Sequence, residues 1–507
     1  MLGPMVWPTM IVEDRPLRLR FSFLALVFAP LLLAGCDPPQ ARFVYSERTD
    51  ALIPAVRDRV REGLDEKFGT PKQMVGWQRM PVDFGGYFGT VTASSRTEGS
   101  EDVNVLAMDF GERKLKDDEI EQGQELLWTG GSYNLQKVEV VSYDSEAGQL
   151  VIRPGLEEPP GVGDAFVVNF GQMLKDGRRL FAMHCLHCHG VSGDGNGPTA
   201  KYLNPRPRDY RRGLFKFKST IRTNRPNNDD LGRIIRQGIP GTYMPSFLLL
   251  NDDELVAIVE YVRWLSMRGE YEQGMVNLLY SDYERETFDQ MVASEWENRG
   301  KSGGDVPSNA AIADVLLNDP NAEIAFFANS ADQEADLLSK AWLDAQKETA
   351  VVMPSVARTE SSPDSRARGR VLYMKNCSTC HSSTGRGDGP QTTAYNDKPN
   401  TNPPQKYPEP GLFDDWGESI NPRDLTRGIY RGGRRPLDLY RRVIEGINGT
   451  PMPPFKGKIT DVQVWDLVNY VFHIPFERRE PVSGGSQHEP TTAAKPAAPQ
   501  KGTAGGS

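Results

Sequence analysis

The chain has 507 residues, of which 38% are hydrophobic and 25% are charged, and its formal net charge is −9. A chain of this length exceeds one typical hydrophobic core, so we expect two or more domains. The acidic balance excludes nucleic acid as the main partner, because binding to phosphate groups requires a basic surface.

An export signal is the first predicted element. Residues 15–36 read RPLRLRFSFLALVFAPLLLAGC, in which basic residues precede an apolar stretch from Phe21 to Leu33. A helix of that length is too short to cross a hydrocarbon core of ~30 Å. The end of this segment resembles the lipobox of bacterial lipoproteins, which implies cleavage before Cys36 and acylation of the new N-terminus. We therefore expect residues 1–35 to be a lipoprotein signal peptide, and the mature protein to be exported and held on the periplasmic face of a membrane by a lipid anchor at Cys36.

Residues 36–170 are predicted to form an N-terminal module that is partly β. A helix is expected near Ala51 to Phe68. Three strands are expected at Lys137–Tyr143, Gly148–Pro154 and Asp164–Phe170, because these segments are rich in β-branched and aromatic residues. No motif in this module indicates a role.

An internal repeat organises the rest of the chain. GRRLFAMHCLHCH, residues 177–189, matches GRVLYMKNCSTCH, residues 369–381. DLGRIIRQGIPGTYMPSF, residues 230–247, matches DLYRRVIEGINGTPMPPF, residues 438–455, without a gap. The chain therefore contains the same domain twice. The second copy has an insertion rich in Pro and Asn, roughly residues 393–419, which we expect to be a surface loop.

The repeat also sets the remaining domain boundaries. We place the two copies at residues 171–268 and 364–476. Residues 269–363, which join them, are acidic and partly helical, with one clear helical pattern at residues 331–348. Residues 477–507 are rich in Gly, Ser, Ala, Pro, Thr and Lys, and this composition cannot bury a core, so a disordered tail is expected.

Each copy contains the motif CxxCH. The motif residues are Cys185, Cys188 and His189 in the first copy and Cys377, Cys380 and His381 in the second. The two thiols of CxxCH can add across the two vinyl groups of a haem, and the adjacent histidine is then placed to ligate the iron. Cys36 is the only other cysteine, so none remains for a structural disulfide.

Two other kinds of cysteine site compete with haem attachment. A Cys₄ zinc site usually joins pairs that are roughly 12 to 20 residues apart. The two pairs here are separated by nearly two hundred residues and lie in different repeats. A thioredoxin-like CxxC requires a surrounding βαβ pattern, which is not readable around either motif. Haem attachment is therefore the favoured interpretation.

A methionine is predicted to be the second axial ligand of each iron. Met244 and Met452 occupy equivalent positions in the sequences GTYMP and GTPMP, where glycine and proline favour a rigid loop over a core helix. Apolar helices are expected to wall the two sites at Asn251–Leu265 and Thr460–Phe472. Among the remaining candidates, His184 and His187 are expected to face solvent or to pack in the fold, His473 to end a helix, and Met183 and Met374 to lie in the core.

Together these motifs resemble class I c-type cytochrome domains. The resemblance implies that both repeats are α-helical cytochrome c domains, so we expect a mainly α fold. The small β-rich module that precedes them and the helical acidic region that joins them lie outside the resemblance. The resemblance also implies two covalently bound haem c groups, and it assigns the carbonyl groups of Pro198 and Pro390 as acceptors for Nδ1 of the iron-ligating histidines. Basic residues near the motifs are candidates for neutralising haem propionates: Arg206, Arg208, Arg211, Arg212, Lys216, Lys218, Arg423, Arg427, Arg431, Arg434 and Arg435.

Electron transfer without substrate chemistry is the function that the sequence favours, so we do not expect an enzyme. Two His/Met haems would pass single electrons between a redox protein donor and acceptor, and methionine ligation raises the haem potential. One alternative is an electron-transfer subunit of a larger oxidase, quinol-oxidising or dehydrogenase complex in a respiratory membrane. A dihaem peroxidase is a weaker alternative, because that family opens the distal site of a histidine-ligated haem, whereas methionine is predicted there in both copies.

Overall fold

The structure is a computed structural model that describes residues 9–13, 41–96, 103–298, 324–398 and 404–477. The helices are α1 (Glu47–Asp50), α2 (Pro54–Phe68), α3 (Gln172–His184), α4 (Leu186–His189), α5 (Asn228–Gln237), α6 (Asp252–Tyr283), α7 (Arg285–Asn298), α8 (Ile324–Ala345), α9 (Pro363–Asn376), α10 (Ser378–His381), α11 (Pro436–Glu445) and α12 (Asp461–His473). The strands are β1 (Thr9–Glu13), β2 (Gln73–Trp77), β3 (Tyr87–Arg96), β4 (Asn104–Asp109), β5 (Glu125–Trp128), β6 (Lys137–Asp144), β7 (Gln149–Arg153), β8 (Ala165–Val168), β9 (Leu412–Phe413) and β10 (Ser419–Ile420). The predicted lipidation residue Cys36, most of the predicted signal peptide and residues 478–507 of the predicted tail lie outside the described residues.

Strands β3 to β8 form a closed antiparallel barrel in the order β3-β4-β7-β6-β5-β8. In β6, Val138 and Val140 are buried while Lys137 and Glu139 are exposed, as expected for a strand with one face toward a core. The barrel has its own hydrophobic core, which includes Trp128, Leu150, Ile152 and Phe166. Strands β6, β7 and β8 confirm the three strands predicted from the sequence.

The segment before the barrel packs on the first repeat. The buried residues of α2 recur about every four positions, which places them on one face: Val56, Val60, Leu64 and Phe68. The ring of Phe68 lies 5.9 Å from that of Trp264 and 5.8 Å from that of Tyr271, both in α6. Strand β2 follows, and β1 pairs with it. The region predicted as one module, residues 36–170, therefore divides into a part that joins the core of the first repeat and a separate barrel.

Helix α6 is the central element of the first repeat. It begins with a capping box formed by Asn251 and Glu254, and it continues for 32 residues to Tyr283. We expected the repeat to end at residue 268, but the later turns of α6 are covered by α2 and α8, and Nε1 of Trp342 in α8 donates to Glu270 at 2.9 Å. Part of the predicted joining region is thus packed on the first repeat. Within the described part of the chain, no helix is both long and apolar enough to cross a membrane.

The second repeat has the same framework. Helix α9 packs across α12, with the rings of Tyr373 and Tyr470 5.3 Å apart. Helix α12 begins with a capping box at Thr460, so the predicted helices at residues 251–265 and 460–472 are both confirmed. Its apolar face packs with α9 and α11 in one hydrophobic core.

The two repeats contact each other directly. Nη1 of Arg222 donates to the carbonyl of Glu445 at 3.1 Å, and Nδ2 of Asn448 donates to the carbonyl of Arg222 at 2.9 Å. The insertion of the second repeat contains β9 and β10, and its Asp414 forms an ion pair with Lys216 at 3.0 Å. The insertion that we expected to be a surface loop therefore takes part in the contact between the repeats.

Candidate functional site

Each CxxCH motif lies at the junction of two helices. Helix α3 is followed by the one-turn helix α4, and α9 is followed in the same way by α10. The amide of His189 donates to the carbonyl of Cys185 at 2.9 Å, and that of His381 donates to the carbonyl of Cys377 at 2.8 Å. Because residues three and four apart share one helix face, this turn places the two thiols and the imidazole of each motif on the same side.

A backbone carbonyl holds the imidazole of each motif. Nδ1 of His189 donates to the carbonyl of Arg208, and Nδ1 of His381 donates to the carbonyl of Arg423, both at 3.2 Å. These arginines occupy equivalent positions in the two repeats, directly before Asp209 and Asp424. A neutral ring that donates through Nδ1 leaves Nε2 unprotonated, and this is the nitrogen that can bind a metal.

We expected the carbonyls of Pro198 and Pro390 to accept these hydrogen bonds. In the structure the carbonyls of Arg208 and Arg423 accept them instead. In both repeats the chain that carries the arginine pairs with the loop after the motif, which brings the arginine carbonyl to the imidazole. The pairing bonds run from the amide of Tyr210 to the carbonyl of Gly193 and from the amide of Leu425 to the carbonyl of Gly385, each at 2.7 Å. The identity of the acceptor depends on this pairing between segments that are distant in sequence, so the residues next to each motif do not indicate it.

Burial keeps both imidazoles neutral. It lowers the pKa of His189 to about 4, against the raising effect of the hydrogen bond to Arg208, and it also lowers the pKa of His381. The ring of Tyr210 stacks on that of His189 with 4.7 Å between centroids, whereas Leu425 occupies the equivalent position in the second repeat. Our sequence reasoning missed Tyr210, although an aromatic residue directly after Asp209 was a readable signal.

Met244 and Met452 lie in loops of the same geometry. The amide of Met244 donates to Oγ1 of Thr242 at 3.2 Å, and that of Met452 donates to Oγ1 of Thr450 at 3.3 Å. The carbonyl of each methionine accepts a bond of 3.2 Å from the amide of an isoleucine at the end of the preceding helix, Ile239 or Ile447. The rigid loops that the sequence predicts are therefore present in both repeats, and they hold both methionines half-buried.

A cleft in the first repeat brings the predicted site residues together. Cys185, Cys188, His189 and Met244 all line it. Most of its wall is apolar: Leu203, Phe215, Phe217, Leu231, Ile234, Ile235, Ile239, Phe247, Ile258 and Val262. The ring of His184 packs edge-on against Phe247, 5.9 Å between centroids, so this histidine is a wall residue as expected.

The residues of this cleft fit a haem. A haem needs an apolar slot for its ring, a ligand on each side of the iron and cations near its propionates. The cleft supplies apolar walls, His189 and Met244 as candidates for the two ligands, and Arg206, Arg208 and Lys216 as cations. Among the described residues, no aspartate or glutamate lines the cleft.

The two cysteine pairs lie in separate parts of the fold. Burial raises the pKa of Cys185 and of Cys377 to about 12, which keeps both as neutral thiols. The two residues pack on different hydrophobic cores, so the two cysteine pairs do not meet in one Cys₄ site. Within the described ranges, no group of three or more His, Cys, Asp and Glu side chains is arranged to hold a metal ion.

Several of the basic residues near the first motif are paired within the protein. Lys216 and Arg208 lie 3.0 Å and 3.9 Å from Asp414, and Arg206 lies 3.6 Å from Glu418. Both acidic residues belong to the insertion of the second repeat. Carboxylates of the second repeat therefore neutralise cations that we named as candidates for neutralising haem propionates.

Comparisons with known proteins support the identification of the two repeats. Residues 174–266 and 366–474 match the cytochrome c family model, so the chain contains two cytochrome c domains. No curated protein matches the chain. A solved chain of the Kuenenia stuttgartiensis reducing HAO-like protein complex aligns over 59% of this chain and 96% of its own, with 21% identity and a TM-score of 0.37. A similarity of this size does not establish a common fold.

Proposed function

We propose that this protein, whose chain contains two cytochrome c domains, is a dihaem electron carrier that passes single electrons between exported or membrane redox proteins. The observation that carries the proposal is the duplicated geometry of the histidine and methionine positions. A haem iron held by these two ligands takes up and returns one electron at a raised potential. Each repeat offers one histidine and one methionine for the two axial positions of an iron, and this supports a carrier over an enzyme.

The residues around each site hold the ligands in one arrangement. The carbonyls of Arg208 and Arg423 fix the orientation of the imidazoles, and the hydrogen bonds of Thr242 and Thr450 fix the methionine loops. Ligands oriented by hydrogen bonds of this kind tune the metal that they bind. Apolar walls exclude water from the first site. This environment favours the ferrous form of a haem, which carries one positive charge less than the ferric form.

A surface for a redox partner lies beside the Met244 loop. Tyr243, Leu248 and Leu249 are 65%, 68% and 100% exposed, next to the loop that presents the methionine. Exposed apolar side chains grouped beside a site indicate a contact surface. A protein that must release its partner after each electron requires a transient complex. A small contact surface suits such a complex.

The proposed lipid anchor would place the first domain near the membrane. Phe43 is only 6% exposed and belongs to the core of the first repeat. Six residues separate it from Cys36, and the seven Cα–Cα steps between the two residues can span at most about 25 Å of extended chain. If Cys36 carries acyl chains, as the signal sequence suggests, the first site lies close to the periplasmic face and to membrane donors.

Intact mass and an optical redox titration test the proposal. The mature protein, produced with haem attachment, is expected to carry the mass of two haems and to show two centres that each take up one electron. It is also expected to show the weak red absorption band of methionine-ligated ferric haem. A mature protein without covalent haem, or one with no oxidisable centre, contradicts the proposal.

The barrel favours a second candidate, an electron-transfer subunit of a larger membrane complex. It is a separate domain with exposed Phe88 and Val162, 57% and 79% accessible, which provide a surface for another subunit. Co-purification from membranes solubilised in mild detergent tests this candidate, and recovery of the protein alone contradicts it. Turnover of peroxide with a reduced donor would instead support the peroxidase alternative.

A further inference from the structure

One arginine of the second repeat lies in the cleft of the first. Arg431 lines this cleft together with His189 and Met244, although it follows the second CxxCH motif in the chain. Its side chain is half-buried. Its Nε is fully buried and has no hydrogen-bond partner among the residues that the structure describes.

The backbone next to Arg431 is fixed on the first repeat. Nη1 of Arg233 donates to the carbonyl of Gly432 at 3.2 Å. A Cβ atom at Gly432 would lie only 2.3 Å from the ring of Phe217, which is itself a wall residue of the cleft. The packing of the two domains, rather than the reach of a flexible side chain, therefore delivers Arg431 to the cleft.

Arg431 differs from the other cations of the cleft in lacking a carboxylate partner among the residues that the structure describes. Arg206, Arg208 and Lys216 each pair with a carboxylate of the insertion. Within the described ranges Arg431 has no ion pair, and burial together with the nearby Arg423 lowers its pKa. Partial burial of an unpaired cation is unfavourable, so this position suits an anionic group.

We propose that Arg431 binds a propionate of the haem in the first repeat, so that the second domain completes the first haem site. The inference rests on the proposed function, because it requires a haem in the cleft. A guanidinium and a carboxylate form a charge-assisted hydrogen bond, and the planar guanidinium can make two such bonds in parallel. The positive charge of Arg431 beside a propionate disfavours the additional positive charge that the iron carries in the ferric state. Arg431 therefore raises the potential of the first haem and leaves that of the second unchanged.

Three variants of the full-length, haem-loaded protein test this assignment. Arg431→Gln removes the charge, and Arg431→Lys keeps it. Lys458→Gln is the matched control, because Lys458 also belongs to the second repeat, is exposed, and its substitution changes the net charge by the same amount. The measurement is the midpoint potential of each haem. A Met452→His background assigns the two potentials, since replacing methionine by histidine lowers that of the second haem.

The expected result is a lower potential of the first haem in Arg431→Gln and a smaller decrease in Arg431→Lys. Lys458→Gln is expected to match the unchanged protein at both haems. Equal shifts in Arg431→Gln and Lys458→Gln, or no shift in either, overturn the inference. Intact mass distinguishes this failure from that of the proposed function. Two covalent haems with an unshifted potential exclude the role of Arg431 alone, whereas absence of haem from the unchanged protein excludes both.

Discussion

The guanidinium carbon of Arg208 lies 3.6 Å from the centroid of the Trp416 ring, and this contact joins the two repeats. The carbonyl of Arg208 also accepts the hydrogen bond from His189. The ring of Trp416 also packs on Gly449, where a Cβ atom would lie 2.2 Å from the ring. Gly449 belongs to the loop that presents Met452. The pair therefore connects the histidine of the first site with the methionine loop of the second.

A reciprocal contact is made by Arg423. Its carbonyl accepts the hydrogen bond from His381, and its guanidinium lies 2.5 Å from the position that a Cβ atom of Gly241 would occupy. Gly241 precedes Met244 by three residues, as Gly449 precedes Met452. Each arginine thus holds the histidine of its own repeat. Arg423 contacts the methionine loop of the other repeat directly, and Arg208 is connected to that of the second repeat through Trp416. The relative position of the two domains is consequently coupled to ligands of both sites.

Replacement of Trp416 by alanine is expected to weaken this connection. A cation–π contact contributes about 0.5–2 kcal/mol, and loss of a packed aromatic ring adds to that, so we expect the free energy of unfolding to fall by about 2 kcal/mol or more. Trp416→Phe keeps a ring over Arg208 and is expected to lose less. Urea unfolding followed by haem absorbance measures the difference.

The control for this prediction is Tyr395→Ala. Tyr395 lies in the same insertion but is 58% exposed, so its removal is expected to change stability very little. If both alanine variants unfold at the same urea concentration, the contact between Arg208 and Trp416 does not stabilise the assembly of the two domains.

The parts of the site that are local in sequence could be predicted from it. Three residues of CxxCH lie on one helix turn, and the methionine loops are fixed by threonine and glycine neighbours within a few residues. The acceptors of the imidazoles are different, because they lie 19 and 42 residues after the histidines. Only the packed fold brings them together, so a rule taken from family resemblance named the prolines instead.

The parts of the fold that were not predicted depend on contacts of the same long-range kind. Three of the six strands of the barrel were readable from their β-branched residues, but closure depends on pairings such as that of Phe88 with Val167, which are distant in sequence. Helix α6 extends beyond the expected boundary because other helices cover its later turns. The insertion was read as a loop from its Pro and Asn content, and the local sequence gave no sign that Asp414 and Trp416 contact the first repeat.

Met244→Ala and Met452→Ala test the axial ligands one at a time. Each substitution is expected to remove the red band of methionine-ligated ferric haem from one centre and to lower the potential of that centre, because methionine ligation raises it. The other centre should keep both properties. Optical redox titration of each variant measures the band and the potential together.

Met183→Leu and Met374→Leu are the matched controls for the methionine variants. These residues lie in α3 and α9, before the two motifs. We expected both in the core, which was wrong, because their side chains are 54% and 37% exposed on the outer faces of these helices. Both controls are expected to keep two unchanged centres. Loss of the band in a control variant, or its retention in both alanine variants, contradicts the assignment of Met244 and Met452.

Gly177 and Gly369 are expected to be essential for the crossing of the helices in each repeat. A Cβ atom at Gly177 would lie 2.2 Å from the carbonyl oxygen of Ala257, and one at Gly369 would lie 2.1 Å from that of Asp466. Because backbone atoms cannot move aside as a side chain can, Gly177→Ala and Gly369→Ala should each lower the free energy of unfolding by about 1–3 kcal/mol. Urea unfolding with haem absorbance measures the loss.

Gly63→Ala provides a control with the opposite expected sign. Gly63 is in α2, and a Cβ atom there would meet no atom within 4 Å. Since alanine is a better helix former than glycine, this substitution is expected to stabilise the protein by about 0.5–1 kcal/mol. A gain in stability for Gly177→Ala or Gly369→Ala would show that the two helices do not cross as closely as the structure indicates.

Asp461 is expected to make the second repeat sensitive to acid. The amide and hydroxyl of Ser355 donate to its carboxylate at 2.6 Å, as does the hydroxyl of Tyr440. These bonds, that of the Ser355 hydroxyl above all, lower the pKa of Asp461 in the folded protein. A carboxyl whose pKa is lower when folded stabilises the protein above its unfolded pKa of about 4. This contribution is lost as the pH falls through the folded value.

Asp461→Asn should therefore destabilise the protein most at neutral pH. The difference in unfolding free energy between the unchanged protein and the variant is expected to narrow progressively below about pH 4, because protonation of Asp461 removes the same charge in the unchanged protein. Urea unfolding at a series of pH values from neutral to acid measures this difference. Asp364→Asn, which removes a carboxylate from the first turn of α9, is the charge control and should have a smaller effect at neutral pH. A difference for Asp461→Asn that stays constant across the series would show that its hydrogen bonds, rather than its ionisation, account for the stability.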